Sequence, residues 1–419
     1  MNEITLYSPD GYMSDLRKIL SQERKRIGLL IGSGAPFSVL VDTNGKLDEK
    51  GDPLIPDVEK LTDLVRKKLK EKDQKVVEKI LLEANVKPNI ESILTKVRQL
   101  SRAIGDAKVH GLNSKAYNEL AKRICIEIGS IVSRALPEER NPFDELASWV
   151  GGIYRKHPIE IFTPNYDMLI EEAFERAHLP YFDGFSGSQK PFFDSTSISN
   201  DTLPARWSRI WKIHGSIGWE IYRDTVVHTG GEKATELIYP DHLKYNQITR
   251  LPYSALFERL RSFLMTSDSL LLCSGFSFSD AHISSVLNEA LASNAHTAVL
   301  AFQYRTLEEE KPAVELACQR PNMSVYARDE AVIAGIQGKW SPEQSPTEEW
   351  KNIRRTFWSS KKIENGGGFL LGDFVKMAHF FALAQSSDLQ SIPNEMEAVS
   401  TAIQKAVIKI GDAIRENDV

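Results

Sequence analysis

Four short apolar runs, each ending in small or polar residues, constrain the fold of this chain more than any other feature. They lie near residues 27–31, 159–163, 208–213 and 269–274. Runs of this length and character are typical of strands that are buried on both faces of a sheet. Two further runs, near 297–302 and 323–326, follow a helical stretch at 281–292. This alternation predicts an α/β fold built on a mostly parallel sheet.

A helical module is predicted between the first two strands. Residues 57–150 carry apolar positions three and four apart, as in Ile90, Ile93 and Leu94, which is the periodicity of amphipathic helices. The stretches 42–57 and 181–206 are instead rich in turn-forming residues. We predict both to be irregular loops.

The character of the sequence changes near residue 339. Helices are predicted at 373–386 and 394–415, and the second has one apolar side. Since 419 residues exceed a typical domain, we expect a main domain over residues 1–338 and a small C-terminal helical appendage over 339–419. The appendage is expected to pack on the core or on another subunit.

A glycine turn follows the first strand. Gly32-Ser33-Gly34-Ala35 stands where glycines let a pyrophosphate approach the backbone of a Rossmann-like sheet. Phe37 replaces the third glycine of a dinucleotide fingerprint, and no helix is clearly predicted after the turn. The segment alone fits either a phosphate-binding turn or a plain connection between a strand and a loop.

Polar side chains also follow the other three strands. Asn165 and Asp167 precede a predicted helix, where they could act as an N-cap and a first-turn carboxylate rather than as site residues. His214 could be structural, although its near-neutral intrinsic pKa suits a general base. Ser274-Gly275-Phe276-Ser277 could contact ribose or phosphate, or could lead to a helix cap at Ser279 or Asp280. The carboxyl ends of parallel strands open on one crevice, so together these residues predict a nucleotide site.

Bulk composition narrows the class of protein. The net charge of −5 gives no basic field, so direct binding of nucleic acid is not expected. The three cysteines form no CxxC pair, which argues against a disulfide framework or a cysteine zinc site. No apolar run approaches the roughly 18 residues of a membrane span, and the N-terminal residues are charged. We expect a cytoplasmic protein with no membrane partner.

The four strand ends together resemble the motifs of the sirtuin superfamily. Gly32-Ser33-Gly34-Ala35 is similar to its Gly-Ala-Gly cofactor loop, and Thr163-Pro164-Asn165-Tyr166-Asp167 to its Thr-Gln-Asn-hydrophobic-Asp motif. His214-Gly215 matches the His-Gly pair, and Ser274-Gly275-Phe276-Ser277 is similar to the Gly-Thr-Ser cofactor segment. The resemblance covers roughly residues 20–330, with the motifs in the same order.

The resemblance implies a sirtuin-like, Rossmann-like NAD-binding catalytic domain with NAD as substrate. By this likeness Asn165 and His214 are the catalytic residues, and Asp167 holds the nicotinamide carboxamide. The residues expected to contact NAD are Gly32, Ser33, Gly34, Ala35, Phe37, Asp167, Ser274, Gly275 and Ser277.

Departures from the sirtuin pattern alter the expected chemistry. Sirtuin deacylases hold a structural zinc with two CxxC pairs, but residues 215–272 contain no cysteine. The Pro-Asp-Phe-Arg sequence of the cofactor loop is absent, and Pro164 stands in place of the motif glutamine. The chain is therefore more similar to the sirtuin-like NADases of bacterial antiphage defence, and in particular to the subunit that partners a HerA-type hexameric ATPase. No zinc or other metal is expected.

This likeness implies an NAD glycohydrolase that depletes cellular NAD in abortive infection. Such a protein is expected to form a homo-oligomer and to be regulated by assembly with the HerA-type ATPase. Two alternatives remain at this stage. One is an NAD-dependent protein deacylase or ADP-ribosyltransferase, and the other is a sensor or assembly module that binds NAD or ADP-ribose without turnover.

Overall fold

The computed structural model describes residues 5–84, 89–199, 202–223, 225–229, 251–342, 347–360 and 368–385. Within these ranges the first nine strands are β1 (Leu6–Tyr7), β2 (Arg26–Ile31), β3 (Leu40–Val41), β4 (Asp52–Pro53), β5 (Glu160–Thr163), β6 (Tyr181–Phe182), β7 (Phe185–Ser186), β8 (Phe192–Phe193) and β9 (Ser208–Lys212). The other strands are β10 (Trp219–Tyr222), β11 (Thr225–His228), β12 (Ser269–Ser274), β13 (Ala298–Phe302), β14 (Met323–Tyr326), β15 (Glu330–Ile333), β16 (Ile336–Trp340), β17 (Trp358–Ser359) and β18 (Gly368–Phe369).

The helices within the same ranges fall into two groups. Those before strand β5 are α1 (Pro9–Leu20), α2 (Gly34–Ser38), α3 (Val58–Lys68), α4 (Glu71–Ala84), α5 (Ile90–Ala103), α6 (Ser114–Val132) and α7 (Pro142–Gly151). Those after it are α8 (Leu169–Arg176), α9 (Ser195–Ser199), α10 (Tyr253–Met265), α11 (Ala281–Ser293), α12 (Lys311–Gln319), α13 (Glu348–Phe357) and α14 (Phe374–Gln385).

A ten-stranded sheet forms the centre of the fold, in the order β1-β16-β15-β14-β13-β12-β2-β5-β9-β6. The seven strands from β14 to β6 are parallel, and only the β14–β15 and β15–β16 pairs are antiparallel. The chain leaves β2 toward β5 on one side and later returns to β12 on the other side. Such a reversal opens a crevice at the carboxyl ends of the strands.

Both faces of the central strands are buried, as their apolar sequences predict. Leu29 and Leu270 belong to the apolar core on one face, whereas Leu30 and Leu271 belong to the core on the other. Successive side chains of a strand point to opposite faces, so a sheet covered by helices on both sides needs a continuous apolar run. The predicted mostly parallel α/β fold is confirmed.

The region predicted as a helical insert contains helices α3 to α7. The two predicted irregular loops were partly wrong. A short β3–β4 hairpin flanks the turns of the first, and strands β6 to β8 with helix α9 lie in the second. Phe182 and Phe185 are buried there and belong to the apolar core. Burial of large aromatic side chains is favourable even where the surrounding sequence is rich in turn-forming residues.

The C-terminal segment packs on the same core as the insert. The rings of Phe374 and Phe381 on helix α14 lie 4.9 Å and 4.8 Å from those of Phe143 and Trp149 on helix α7. The predicted helix at 394–415 lies outside the described residues, and the division at residue 339 stays a prediction. No helix in the described residues is both long and apolar enough to cross a membrane.

Candidate functional site

The glycine turns after strands β2 and β12 lie against each other. Gly32 N donates to Ser274 O at 2.9 Å, and Gly34 N donates to Gly275 O at 3.0 Å. A Cβ on Gly32 would lie 2.2 Å from Gly275 O, and one on Gly275 would lie 2.7 Å from Ala35 N. Gly275 also has φ +63°, in the left-handed region. These positions require glycine because two backbones meet there.

A short helix, α2, begins within the first turn at Gly34. This helix was not predicted from the sequence, because its five residues include a proline and form only about one turn. The turn and helix leave Ser33 exposed and Ala35 buried. The described arrangement is thus a tight strand-to-helix connection beside Gly275.

Asn165 is held directly against this turn. Its Nδ2 donates to Gly32 O at 3.1 Å, and its backbone N donates to Thr163 Oγ1 at 3.0 Å. The N-cap of helix α8 is Met168, so the capping interpretation of Asn165 was wrong. The helix begins later than its acidic and apolar sequence suggested, which leaves Asn165 in a loop where its amide bridges β5 and β2.

His214 lies in the turn that follows strand β9 and is 3% exposed. Gly215, at φ +92°, completes this turn, and Ile217 N donates to Tyr166 O at 3.0 Å. The loops that carry His214 and Asn165 are therefore tied together through their backbones. The ring of Phe257, on helix α10, lies 6.2 Å from the imidazole.

Asp280 caps helix α11, as sequence analysis considered. Its Oδ1 accepts from His282 N at 2.9 Å and from Ile283 N at 3.0 Å. Its other oxygen, Oδ2, lies 3.3 Å from His214 Nε2. One carboxylate thus both caps helix α11 and contacts His214. The sequence did not predict this contact, because the two residues are 66 positions apart.

A buried group of charges lies beneath the Asn165 loop. Lys212 Nζ donates to Asp167 O and lies 3.3 Å from Glu171 Oε1. Burial raises the pKa of the Asp167 carboxyl, and the Lys212 ammonium opposes that shift. Burial also raises the pKa of Glu171, and the Lys212 ammonium opposes that rise without cancelling it. Lys212 and Glu171 were not predicted as site residues, because an isolated lysine in a strand and a glutamate in a helix carry no recognisable pattern.

A cavity of about 390 Å³ opens at these strand ends, within the size range of small-molecule sites. The predicted site residues that line it are Ser33, Asn165, Asp167, His214, Gly275 and Ser277. The predicted residues that do not line it are Gly32, Gly34, Ala35, Phe37 and Ser274. Of these, Phe37 is 40% exposed, whereas the others lie in or beside the glycine contact. The roles of all of them stay predictions.

The inserted helical module supplies a further part of the cavity wall. Its contribution comes from the segments that begin helices α3 and α5 and from the end of helix α6: Ile55, Pro56, Val58, Leu61, Asn89, Glu91 and Val132. Asn89 caps α5 by accepting from Glu91 N at 2.8 Å. This wall could not be predicted, because no sequence pattern tells which end of an inserted helix faces a distant strand.

The described residues contain no group of three or more His, Cys, Asp or Glu side chains that could hold a metal ion. The expectation of a site without zinc stays a prediction. Cys125 and Cys273 are buried, and Cys318 is exposed.

Residues 159–322 match the family model of the SIR2-like domain. The matched segment runs from just before strand β5 to just before β14 and contains Asn165, His214 and Gly275. The glycine turn after β2 and the helical wall lie outside it. No curated protein matches the chain. The match supports a sirtuin-like assignment for this segment and fits an enzyme that uses NAD.

Proposed function

We propose that this protein hydrolyses NAD to nicotinamide and ADP-ribose. The observation that carries the proposal is the meeting of Asn165, His214 and the Gly32–Gly275 contact around one cavity at the carboxyl ends of parallel strands. Parallel sheets of this type bind nucleotides at that edge. The SIR2-like match over two of these three parts adds independent support.

The proposed reaction breaks the bond between the anomeric carbon and the nicotinamide nitrogen. Both electrons of that bond go to the nitrogen, so the cationic ring leaves as neutral nicotinamide without a proton. The oxygen of water bonds to the anomeric carbon and releases one proton. A glycosidase normally needs a carboxylic acid to protonate its leaving group, but this leaving group does not. The site must supply position and polarity for an oxocarbenium-like transition state.

The side chains around the cavity suit these tasks. The Asn165 amide is oriented by its bond to Gly32 O, which leaves Oδ1 to accept from a water or a ribose hydroxyl. Asp167 would bind the carboxamide. His214 would accept the proton of the water, a step for which a positioned base contributes about 100- to 10,000-fold.

The charges around the cavity also favour a cationic ring. The carboxyl and basic side chains among the described lining residues are those of Glu91, Asp167, His214 and Asp280, with no lysine or arginine. Carboxylates stabilise a nearby positive charge. A pyrophosphate would instead rely on backbone N–H groups, including those at the N-termini of helices α3 and α5 beside the cavity.

Nicotinamide release from NAD by the purified protein tests the proposal. Asn165→Ala and His214→Ala should each lower turnover at least about tenfold without a change in the circular dichroism spectrum. Asn44→Ala and His296→Ala remove the same side-chain types at exposed positions and should retain full turnover. Wild-type turnover in both site variants would contradict the assignment.

The same assay separates the alternatives. Nicotinamide release that requires an acylated lysine peptide would identify a deacylase. Binding of NAD with no product after long incubation would identify a sensor or assembly module. Equal amounts of nicotinamide and ADP-ribose from NAD and water alone would support the glycohydrolase.

We further propose, from the resemblance of the sequence, that the NADase acts in antiphage defence as a homo-oligomer regulated by a HerA-type ATPase. Mass measurement of the protein alone and mixed with such an ATPase would test the assembly. Turnover measured in both samples would test the regulation. A monomer that neither binds the ATPase nor changes its turnover would contradict this proposal.

A further inference from the structure

The two carboxylate oxygens of Asp280 contact two different parts of the protein, a helix N-terminus and the His214 imidazole. Oδ1 accepts from two backbone N–H groups in the first turn of helix α11, at 2.9 Å and 3.0 Å. Oδ2 lies 3.3 Å from His214 Nε2. The side chains of Asp280 and His214 are 8% and 3% exposed, so this contact is shielded from water. A carboxylate held by two N–H groups has little freedom to move away from the imidazole.

We propose that Asp280 is a positioning residue that orients and polarises His214 for the proposed reaction. A carboxylate next to a histidine ring stabilises the protonated ring and favours a proton on the nitrogen that faces it, as in nucleophile–base–orienter triads. The ion-pair contact of 3.3 Å between Asp280 Oδ2 and His214 Nε2 therefore favours a proton on Nε2, which would leave Nδ1 as the basic nitrogen. This inference rests on the proposed role of His214 as a base, and it assigns to Asp280 a task beyond capping a helix.

The pairing has a defined electrostatic consequence. As His214 takes a proton from water, its ring becomes cationic, and a buried carboxylate at 3.3 Å stabilises that charge. The other carboxyl groups that line the cavity are Glu91 on helix α5 and Asp167 after strand β5. Phe257 faces the imidazole from helix α10 and brings no charge. Among the described residues, Asp280 supplies the carboxylate that lies within ion-pair distance of His214 Nε2.

The Asp280→Asn variant tests the inference. Asparagine is also a favoured N-cap, so the helix cap is retained while the charge next to His214 is removed. The first measurement is an NMR pH titration of ¹³C-labelled histidines, with the His214 signal assigned by its absence in His214→Ala. Removal of the carboxylate should lower the pKa of His214 by about one unit or more. This measurement does not depend on turnover.

The second measurement is the pH profile of nicotinamide release. The proposed base must be neutral, so turnover rises with pH through the pKa of His214. In Asp280→Asn this limb should move to lower pH by the same shift as in the titration, and the maximal rate should fall at least about tenfold. Asp57→Asn is the matched control, because Asp57 caps helix α3 through Lys60 N at 2.8 Å and does not line the cavity.

An unchanged titration of His214 in Asp280→Asn would overturn the inference and leave Asp280 as a cap alone. A shifted titration with no nicotinamide release by the wild type would keep the pairing and contradict the proposed function instead. If the asparagine variant does not fold, Asp280→Ser retains a capping oxygen and gives the same titration test.

Discussion

At the residue scale, the contact between the two glycine turns sets the shape of the site. Gly275 combines a left-handed φ of +63° with a Cβ position only 2.7 Å from Ala35 N. The added Cβ is bonded to the backbone of residue 275, and Ala35 N is itself a backbone atom. Neither atom can therefore rotate away from the other. A methyl group at this position must therefore push strands β2 and β12 apart at the edge where they meet the cavity.

Gly275→Ala is expected to lower the free energy of unfolding by more than about 3 kcal/mol, from steric overlap added to an unfavourable φ. Gly45→Ala is the matched control: Gly45 has φ +79° but no atom within 4 Å of an added Cβ. It should lose only about 1 kcal/mol. Urea denaturation of both variants measures the difference. Equal losses would mean that the turns are not in tight contact.

The same contact explains which site residues sequence analysis could place. Gly32, Gly275, Asn165 and His214 each follow an apolar strand, so their position at one edge of the sheet follows from strand direction alone. Which of them faces the cavity depends on the detailed turn geometry. That geometry directs Ser33 toward the cavity and leaves Gly32 and Gly34 at the contact with Gly275.

At the element scale, strands β5 and β9 and helix α8 are joined by a buried charge group. Lys212 is 2% exposed, and Glu171 and Asp167 are 4% and 5% exposed. Two carboxyls and one ammonium cannot all be charged without leaving a net negative charge in the interior, which is unfavourable. Burial accordingly raises the pKa of both carboxyls, and Lys212 limits the rise.

Lys212→Met should make stability more dependent on pH. Without the ammonium, the folded-state pKa of Asp167 and Glu171 rises further above the unfolded value of about 4. An acid with a raised folded pKa contributes stability below its unfolded pKa and loses it as pH rises through the folded pKa. The loss in Tm relative to wild type should therefore be small near pH 4 and should grow toward pH 8.

Thermal unfolding at several pH values measures this trend. Lys75→Met is the control, because Lys75 and Glu71 form an exposed pair at 2.7 Å, which is expected to contribute little. Its effect on Tm should be small at every pH. If Lys212→Met lowers Tm by the same amount at every pH from 4 to 8, Lys212 acts by packing alone.

At the scale of the whole molecule, the sequence predicted the parallel sheet and the helical insert but not how distant parts meet. Continuous apolar strands are a local signal, and so is helical periodicity. The antiparallel strands β15 and β16 were missed because each is short and has only two buried positions, which gives a weak apolar pattern. The wall that Asn89 and Glu91 contribute to the cavity depends on long-range packing, which no local signal encodes.

The packing of helix α14 bears on whether the C-terminal segment is a separate domain. Phe381 is fully buried against Trp149, with ring centroids 4.8 Å apart, and the same apolar core contains residues of helices α1 and α3 to α8. Asp10 on helix α1 also accepts from Trp350 Nε1 at 2.7 Å and from Arg354 Nε at 2.6 Å, both on helix α13. Elements that share one core are expected to unfold together.

Phe381→Ala should therefore destabilise the whole molecule and not a detachable tail. Loss of a buried phenylalanine costs about 3–5 kcal/mol, and unfolding followed by circular dichroism and by tryptophan fluorescence should give one coincident transition at lower denaturant. Leu82→Ala, at a position that is 82% exposed, should change stability by less than about 0.5 kcal/mol. If Phe381→Ala instead splits unfolding into two transitions, with the main one at the wild-type midpoint, residues beyond 339 form an independent domain. A single shifted transition would mean that the C-terminal segment and the rest of the shared core unfold as one cooperative unit.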